Sequence, residues 1–159
     1  MEIVSRQVYN ADPRTVVTML CERPFLEELC RRSGASRSSI EIAGTTTRVS
    51  RTLPAPDGAA RFVGPTVDVV ETVAWGDPEP DGSRHGVLEF QMDGLPIRLE
   101  GTAVARPEAA ATTLIDYRGD LTVRIPLVGR QVENMAAPAI TDALAAQERI
   151  GNEWLAARG

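Results

Sequence analysis

The sequence predicts an α+β fold in which a curved antiparallel sheet of seven strands wraps around one long C-terminal helix. Three observations lead to this prediction. Residues 126–155 carry an apolar stripe with helical spacing, strand-like segments separated by turn residues precede it, and the last six of these have no connection long enough for a crossover helix. A chain of 159 residues is the length of one domain, so residues 1–159 are expected to form a single unit.

A first strand is predicted over residues 2–9, and two short helices follow it. Asp12 before Pro13 is a typical helix start, with the Asp side chain as the expected cap. A second helix is predicted over residues 25–32 and should end at Gly34.

The six later strands are recognised by short apolar alternation between Gly- and Pro-containing turns. They are predicted at residues 38–43, 45–53, 66–75, 86–92, 97–106 and 111–125. Residues 54–65 are expected to form a Pro- and Gly-rich loop. Because the connections are short, these strands should pair antiparallel.

The C-terminal helix has one apolar side made largely of small residues. Its members are Val128, Val132, Met135, Ala136, Ala139, Ile140, Ala143, Ala146, Ile150 and Trp154. Either the helix packs very close to the sheet or space remains between them. Pro138 lies inside the helical pattern and removes a hydrogen bond at a cost of about 3 kcal/mol. It predicts a bend near Met135, which either holds the cavity mouth open or lets the first half of the helix move as a lid. In the alternative the helix simply curves around the sheet.

Hairpin geometry predicts which residues share the concave face. Centring the last two hairpins on their turns pairs Phe90 with Leu99, Leu99 with Gly119, and Gly101 with Tyr117. Small residues at positions 101 and 119 are expected where a sheet bends strongly.

One carboxylate, Glu71, falls on the same concave face beside Phe90. A carboxylate that faces inward needs a partner. Arg51 has the inward parity on the preceding strand and lies within cross-strand reach.

The order of elements resembles the START-like or polyketide-cyclase (SRPBCC) superfamily, which has the helix-grip fold. Leu121–Gly129, Glu133, Gln147 with Glu148, and Asn152–Leu155 resemble an uncharacterised bacterial family within it. The resemblance implies a cavity between helix and sheet for a hydrophobic small molecule, such as a lipid, sterol, polyketide or aromatic compound. These motifs are structural, so they transfer the architecture and not a chemistry.

The candidate ligand-binding residues combine the concave face with the apolar side of the helix. They are Arg51, Glu71, Phe90, Leu99, Gly101, Tyr117, Gly119, Met135, Ala139, Ala143 and Gln147. A purely structural alternative stays open for the polar members, in which Arg51 and Glu71 satisfy each other and Tyr117 fills the core. In that alternative Gln147 binds backbone.

Three functions are compatible with this pattern. The first is a non-enzymatic carrier or sensor of a hydrophobic ligand. The second is an aromatase or cyclase in which Glu71 and Tyr117 move protons. The third is a protein-interaction module with a vestigial cavity. We assign no catalytic residue, cofactor or metal, because the chain has no Lys and its one His, His85, lies in a loop.

Composition limits the partners. A net charge of −5 with scattered Arg argues against nucleic acid, and no apolar run is long enough to span a membrane. Since no signal peptide is visible, a cytoplasmic location and reduced thiols at Cys21 and Cys30 are expected. Assembly into a homodimer is left open.

Overall fold

One antiparallel sheet and one long helix make up most of the computed structural model, which describes residues 1–159. The strands are β1 (Glu2–Tyr9), β2 (Arg37–Ala43), β3 (Thr46–Pro54), β4 (Thr66–Trp75), β5 (Arg84–Met92), β6 (Ile97–Ala109) and β7 (Thr112–Val123). The helices are α1 (Pro13–Leu20), α2 (Arg23–Arg32), α3 (Ala60–Val63) and α4 (Gly129–Arg158). All seven strands pair antiparallel in the order β1-β7-β6-β5-β4-β3-β2, which confirms the predicted architecture.

The predicted pairing of β5 with β6 is confirmed, but that of β6 with β7 is wrong by two residues. Phe90 faces Leu99 as predicted, whereas Leu99 pairs with Leu121 and Gly101 pairs with Gly119. The hairpin turns at Ala110 and Ala111, later than the centre of the turn predicted at residues 107–110, and the irregularity between Pro107 and Ala109 shifts the register back by one residue. A slip of two residues preserves the side-chain alternation, so every residue stays on its predicted face.

Two local predictions also need correction. Asp12 stands at the N-cap position of α1, but its side chain makes no capping hydrogen bond; its backbone carbonyl accepts from the Val16 N–H at 3.0 Å. The loop predicted over residues 54–65 contains the short helix α3.

No helix of the protein is both long and apolar enough to cross a membrane.

Helix α4 lies against β1 and β7 and reaches α2. It approaches the sheet most closely near its two ends, where glycines face the neighbouring atoms. A Cβ on Gly129 would lie 2.7 Å from the carbonyl oxygen of Val123, and a Cβ on Gly151 would lie 2.5 Å from Cε1 of Tyr9. Glycine therefore permits contacts at both ends of the helix that any larger residue would prevent.

Side chains of α4 complete the open edge of β1. An edge strand presents unpaired backbone groups, which proteins usually cover. The Val8 N–H donates to Glu148 Oε2 at 2.6 Å, and Asn152 Nδ2 donates to the Val8 carbonyl at 2.9 Å. Asn152 Oδ1 accepts from the Asn10 N–H at 2.9 Å. The helix thus replaces a neighbouring strand along this part of β1.

The apolar core forms two main clusters, one toward each end of α4. The first cluster surrounds Tyr9, Phe25 and Ile150, and the second surrounds Leu121 and Val132. The central part of the helix lies between these clusters. Its small side chains leave the intervening space unfilled.

Replacement of Gly101 by Ala is expected to destabilise the fold by about 1–3 kcal/mol, because overpacking against backbone is relieved only by moving the strands. The added Cβ would collide with the carbonyl oxygen of Arg118 and lie 2.7 Å from the Gly119 Cα. Denaturant unfolding measures the effect. Thr102→Ala, at the exposed neighbouring position, is the control and should change stability little. Wild-type stability in Gly101→Ala would contradict the close strand approach.

Candidate functional site

A cavity of about 500 Å³ lies between α4 and the concave face of the sheet. Of its 35 lining residues 23 are hydrophobic, and its volume is within the range of about 300–1,000 Å³ typical of small-molecule sites. Asp142 and Ala143 of α4 line it and are also exposed, so the cavity opens to solvent beside the middle of the helix.

The apolar walls follow directly from strand and helix periodicity. On β4 every second residue from Val67 to Trp75 faces the cavity, with Glu71 at the centre of the row. On the opposite wall α4 presents Ala139, Ala143 and Ala146, which are too small to reach across to β3 and β4. The alternation of β4 therefore forms one wall of the cavity, and the small residues of α4 leave the space in front of that wall empty.

Nine of the eleven predicted ligand-binding residues line this cavity. They are Arg51, Glu71, Phe90, Leu99, Tyr117, Gly119, Ala139, Ala143 and Gln147. Gly101 and Met135 do not line it. Gly101 lies where β6 and β7 approach each other closely. Met135 extends from α4 toward Gly58, and a Cβ built on Gly58 would be 3.7 Å from Cε of Met135.

Arg51 and Glu71 are close, as predicted, but they do not satisfy each other. Arg51 Nη2 is 3.8 Å from Glu71 Oε2, which is longer than a hydrogen bond. The Arg51 side chain is 16% exposed and its Nε is buried without a hydrogen-bond partner. The ion pair of the structural alternative is therefore present, but it leaves Arg51 Nε without a hydrogen bond.

A buried hydrogen-bond network forms a second polar part of the site. Gln7 Nε2 donates to the Leu144 carbonyl at 2.8 Å, which fixes the orientation of the Gln7 amide. Its Oε1 then accepts from the Tyr9 hydroxyl at 2.7 Å and from Gln147 Nε2 at 3.4 Å. Gln147 Nε2 also donates to the Tyr117 hydroxyl at 3.3 Å. Because Tyr117 accepts this bond, its own proton is available to an acceptor in the cavity.

This network corrects one expectation and adds two residues. The Gln147 amide donates to two side chains, whereas the structural alternative expected it to bind the backbone. Gln7 and Tyr9 were missed as supporting residues, although both are fully buried on the inward side of β1. The signal was present in the sequence, because Gln7 is a polar residue at an inward position of an alternating strand.

Helix α4 continues through Pro138, so the proline does not end it. The Thr141 hydroxyl donates to the carbonyls of Ala137 at 3.2 Å and Pro138 at 3.0 Å. Whether this part of the helix moves as a lid stays a prediction.

The remaining reactive side chains lie apart from the cavity or are inert. His85 Nε2 contacts Glu79 Oε1 at 2.9 Å, and the His85 side chain is 61% exposed. Cys30 lines the cavity, but burial raises the pKa of its thiol, which keeps it protonated. No group of three or more His, Cys, Asp and Glu side chains is arranged to hold a metal ion.

Solved structures similar to this one share the whole fold at low sequence identity. A protein of Thermus thermophilus is 19% identical, with a TM-score of 0.66 and 100% of both chains covered. A START superfamily protein of Mycobacterium smegmatis is 16% identical, with a TM-score of 0.58, 97% of this chain and 98% of that chain covered. The Zhui aromatase/cyclase of Streptomyces sp. R1128 is 11% identical, with a TM-score of 0.63 and 96% and 92% covered. These likenesses show the START-like helix-grip fold.

Sequence comparison gives one result at the level of a family. A family model described as "Protein of unknown function (DUF2505)" matches residues 5–155. None of the curated proteins matches the chain.

Both tyrosines of the protein should stay protonated until it unfolds. Burial is the largest cause that raises the pKa of Tyr9 and that of Tyr117 above the usual value. A raised folded pKa contributes stability that is complete below the unfolded pKa of about 10 and is lost as the pH rises above it. We therefore expect tyrosinate absorbance and loss of circular dichroism to appear together in an alkaline titration.

Tyr117→Phe provides the control for this titration. It should halve the tyrosinate amplitude, because one of the two tyrosines is removed, and should make the alkaline loss of stability less steep. Tyrosinate absorbance in a protein with native circular dichroism would contradict the burial of the two hydroxyls.

Proposed function

This chain belongs to the DUF2505 family, and from the geometry of its cavity we propose that it binds a hydrophobic small molecule between α4 and the sheet as a carrier or sensor. The observation that supports the proposal is a cavity with apolar walls and a few convergent polar groups, which is the usual composition of a small-molecule site. A lipid, a polyketide or an aromatic compound would fit this description.

The polar groups favour binding over catalysis. Tyr117 is held in its neutral form, so at neutral pH it can donate a hydrogen bond but does not act as a base. Gln147 has no ionisable group, and Arg51 offers hydrogen-bond donors but no acceptor. This leaves Glu71 as the one carboxylate at the centre of the cavity wall able to accept a proton from a substrate. The arrangement provides anchors for a ligand, with no nucleophile held by a base.

An aromatase or cyclase is the second candidate, because Glu71 faces the cavity beside a cation. Because the sequence resembles the polyketide-cyclase superfamily, a poly-β-ketone is the substrate to test. In this alternative Glu71 would remove a proton from the chain of ketones and Tyr117 would stabilise the developing oxyanion.

A module with a vestigial cavity is the third candidate, and the unfilled space argues against it. A cytoplasmic location and a homodimer stay predictions.

Filling the cavity should abolish ligand binding without unfolding the protein. Ala139→Trp places a large ring in the space from the helix side, and the affinity for an environment-sensitive apolar dye should fall at least tenfold, or about 1.4 kcal/mol. The measurement is a fluorescence titration, combined with native mass spectrometry to detect a ligand that co-purifies with the wild type.

Ala145→Trp is the matched control, because Ala145 lies on the same helix, is exposed and does not line the cavity. It should bind the dye like the wild type. Equal dye binding by both variants, or none by the wild type, would place binding elsewhere or indicate the vestigial module.

Glu71→Gln separates the carrier from the cyclase. If Glu71 is a general base, the variant should lose turnover of a linear poly-β-ketone substrate by a factor of at least about 100. If it is an anchor, no turnover is expected in either protein, and the apolar dye should bind to both. Turnover retained in Glu71→Gln would exclude Glu71 as the catalytic base.

A further inference from the structure

The cavity contains hydrogen-bonding capacity that the protein itself does not use. Buried polar groups are almost always hydrogen bonded, so groups at a cavity that make no hydrogen bond within the protein have capacity left for a ligand. Arg51 Nε is buried and unpaired, and the nearest distance from this guanidinium to Glu71 is 3.8 Å. Nη2 of Arg51 and Oε2 of Glu71 are thus a donor and an acceptor that lie next to each other at the cavity without a hydrogen bond between them.

The electric charge at this position is balanced. Arg51 and Glu71 carry opposite charges, so the pair itself is neutral. The other charged residues that line the cavity are exposed to solvent, which screens them. Two of these pair elsewhere, Arg32 with Glu153 at 2.5 Å and Arg118 with Glu2 at 3.5 Å. A ligand group that reaches Arg51 and Glu71 therefore meets a dipolar pair with no net charge.

This balance discriminates between classes of polar group. A carboxylate would be attracted by Arg51 and repelled by Glu71 at nearly the same distance. A hydroxyl has one proton to donate and two lone pairs to accept, so it can donate to Glu71 and accept from Arg51 at once. An aliphatic or aromatic hydrocarbon would leave both groups unsatisfied, at the cost of a buried unpaired donor.

We propose that the ligand is an uncharged apolar molecule that carries a hydroxyl group, and that this hydroxyl bridges Arg51 and Glu71. This inference rests on the proposed function and specifies the chemical class of its ligand. The apolar body occupies the space between β4 and α4, where Val69, Val73 and Ala139 line the cavity. Arg51 and Glu71 then set the specificity, while the apolar walls supply most of the affinity.

Three probes with one ring system test the proposal: naphthalene, β-naphthol and β-naphthoate. In the wild type at neutral pH, β-naphthol should bind at least tenfold more tightly than either of the other two, as measured by fluorescence titration. This comparison needs no variant, so a folding defect has no effect on it.

Substitutions then test the role of each charge. Glu71→Gln removes the repulsion and leaves Arg51 unbalanced, so β-naphthoate should gain at least tenfold in affinity. Arg51→Met should make β-naphthol bind no better than naphthalene. Arg98→Met is the control, since Arg98 pairs with Glu89 and Glu100 outside the cavity, and it should preserve the wild-type order.

The outcomes distinguish this inference from the function on which it rests. Equal binding of naphthalene and β-naphthol to the wild type would overturn the hydroxyl bridge and leave the hydrophobic site intact. So would a preference for β-naphthoate in the wild type, or binding of the apolar dye alone. Failure of all three probes and of the dye would overturn the proposed function itself.

Discussion

The attachment of α4 to the edge of β1 is the interaction on which the rest of the structure depends. Glu148 and Asn152 bond to backbone groups of Val8 and Asn10, and Gly151 lets the helix backbone come against Tyr9. These contacts are directional, so they fix the rotation of the helix as well as its position. That rotation turns the alanines of α4 toward β4 and Gln147 toward Tyr117.

The cavity is a consequence of holding α4 against β1 and β7 while its small side chains face the more distant β3 and β4. Near its start α4 is held by Val132 in an apolar cluster and by Glu133, whose Oε1 accepts from the Val123 N–H at 3.3 Å. Near its end it is held by the contacts to β1. Between these points the chain places small side chains opposite a curved sheet, and packing alone does not close the gap. Arg51 and Glu71 consequently face this space without a hydrogen bond to each other.

The sequence was sufficient for the architecture and for most of the cavity wall, because both depend on local periodicity. The parity of a strand survives a register error of two residues, so Tyr117 and Gly119 were placed on the correct face even though their partners were wrong. The bulge at Pro107 and the direction of Met135 depend on contacts that no local pattern contains. The bonds from Gln7 to Leu144 and Gln147 join residues about 140 positions apart, and only the folded chain shows them.

The contact between β1 and α4 also has a consequence for synthesis on the ribosome. The first strand emerges early, whereas the helix that covers its edge follows all seven strands in the chain. Until α4 is made, β1 exposes open hydrogen-bonding groups and the concave sheet exposes its apolar face, which are the features that promote aggregation of a nascent chain. The final helix thus ends a vulnerable interval, and the cavity comes into existence in that same step.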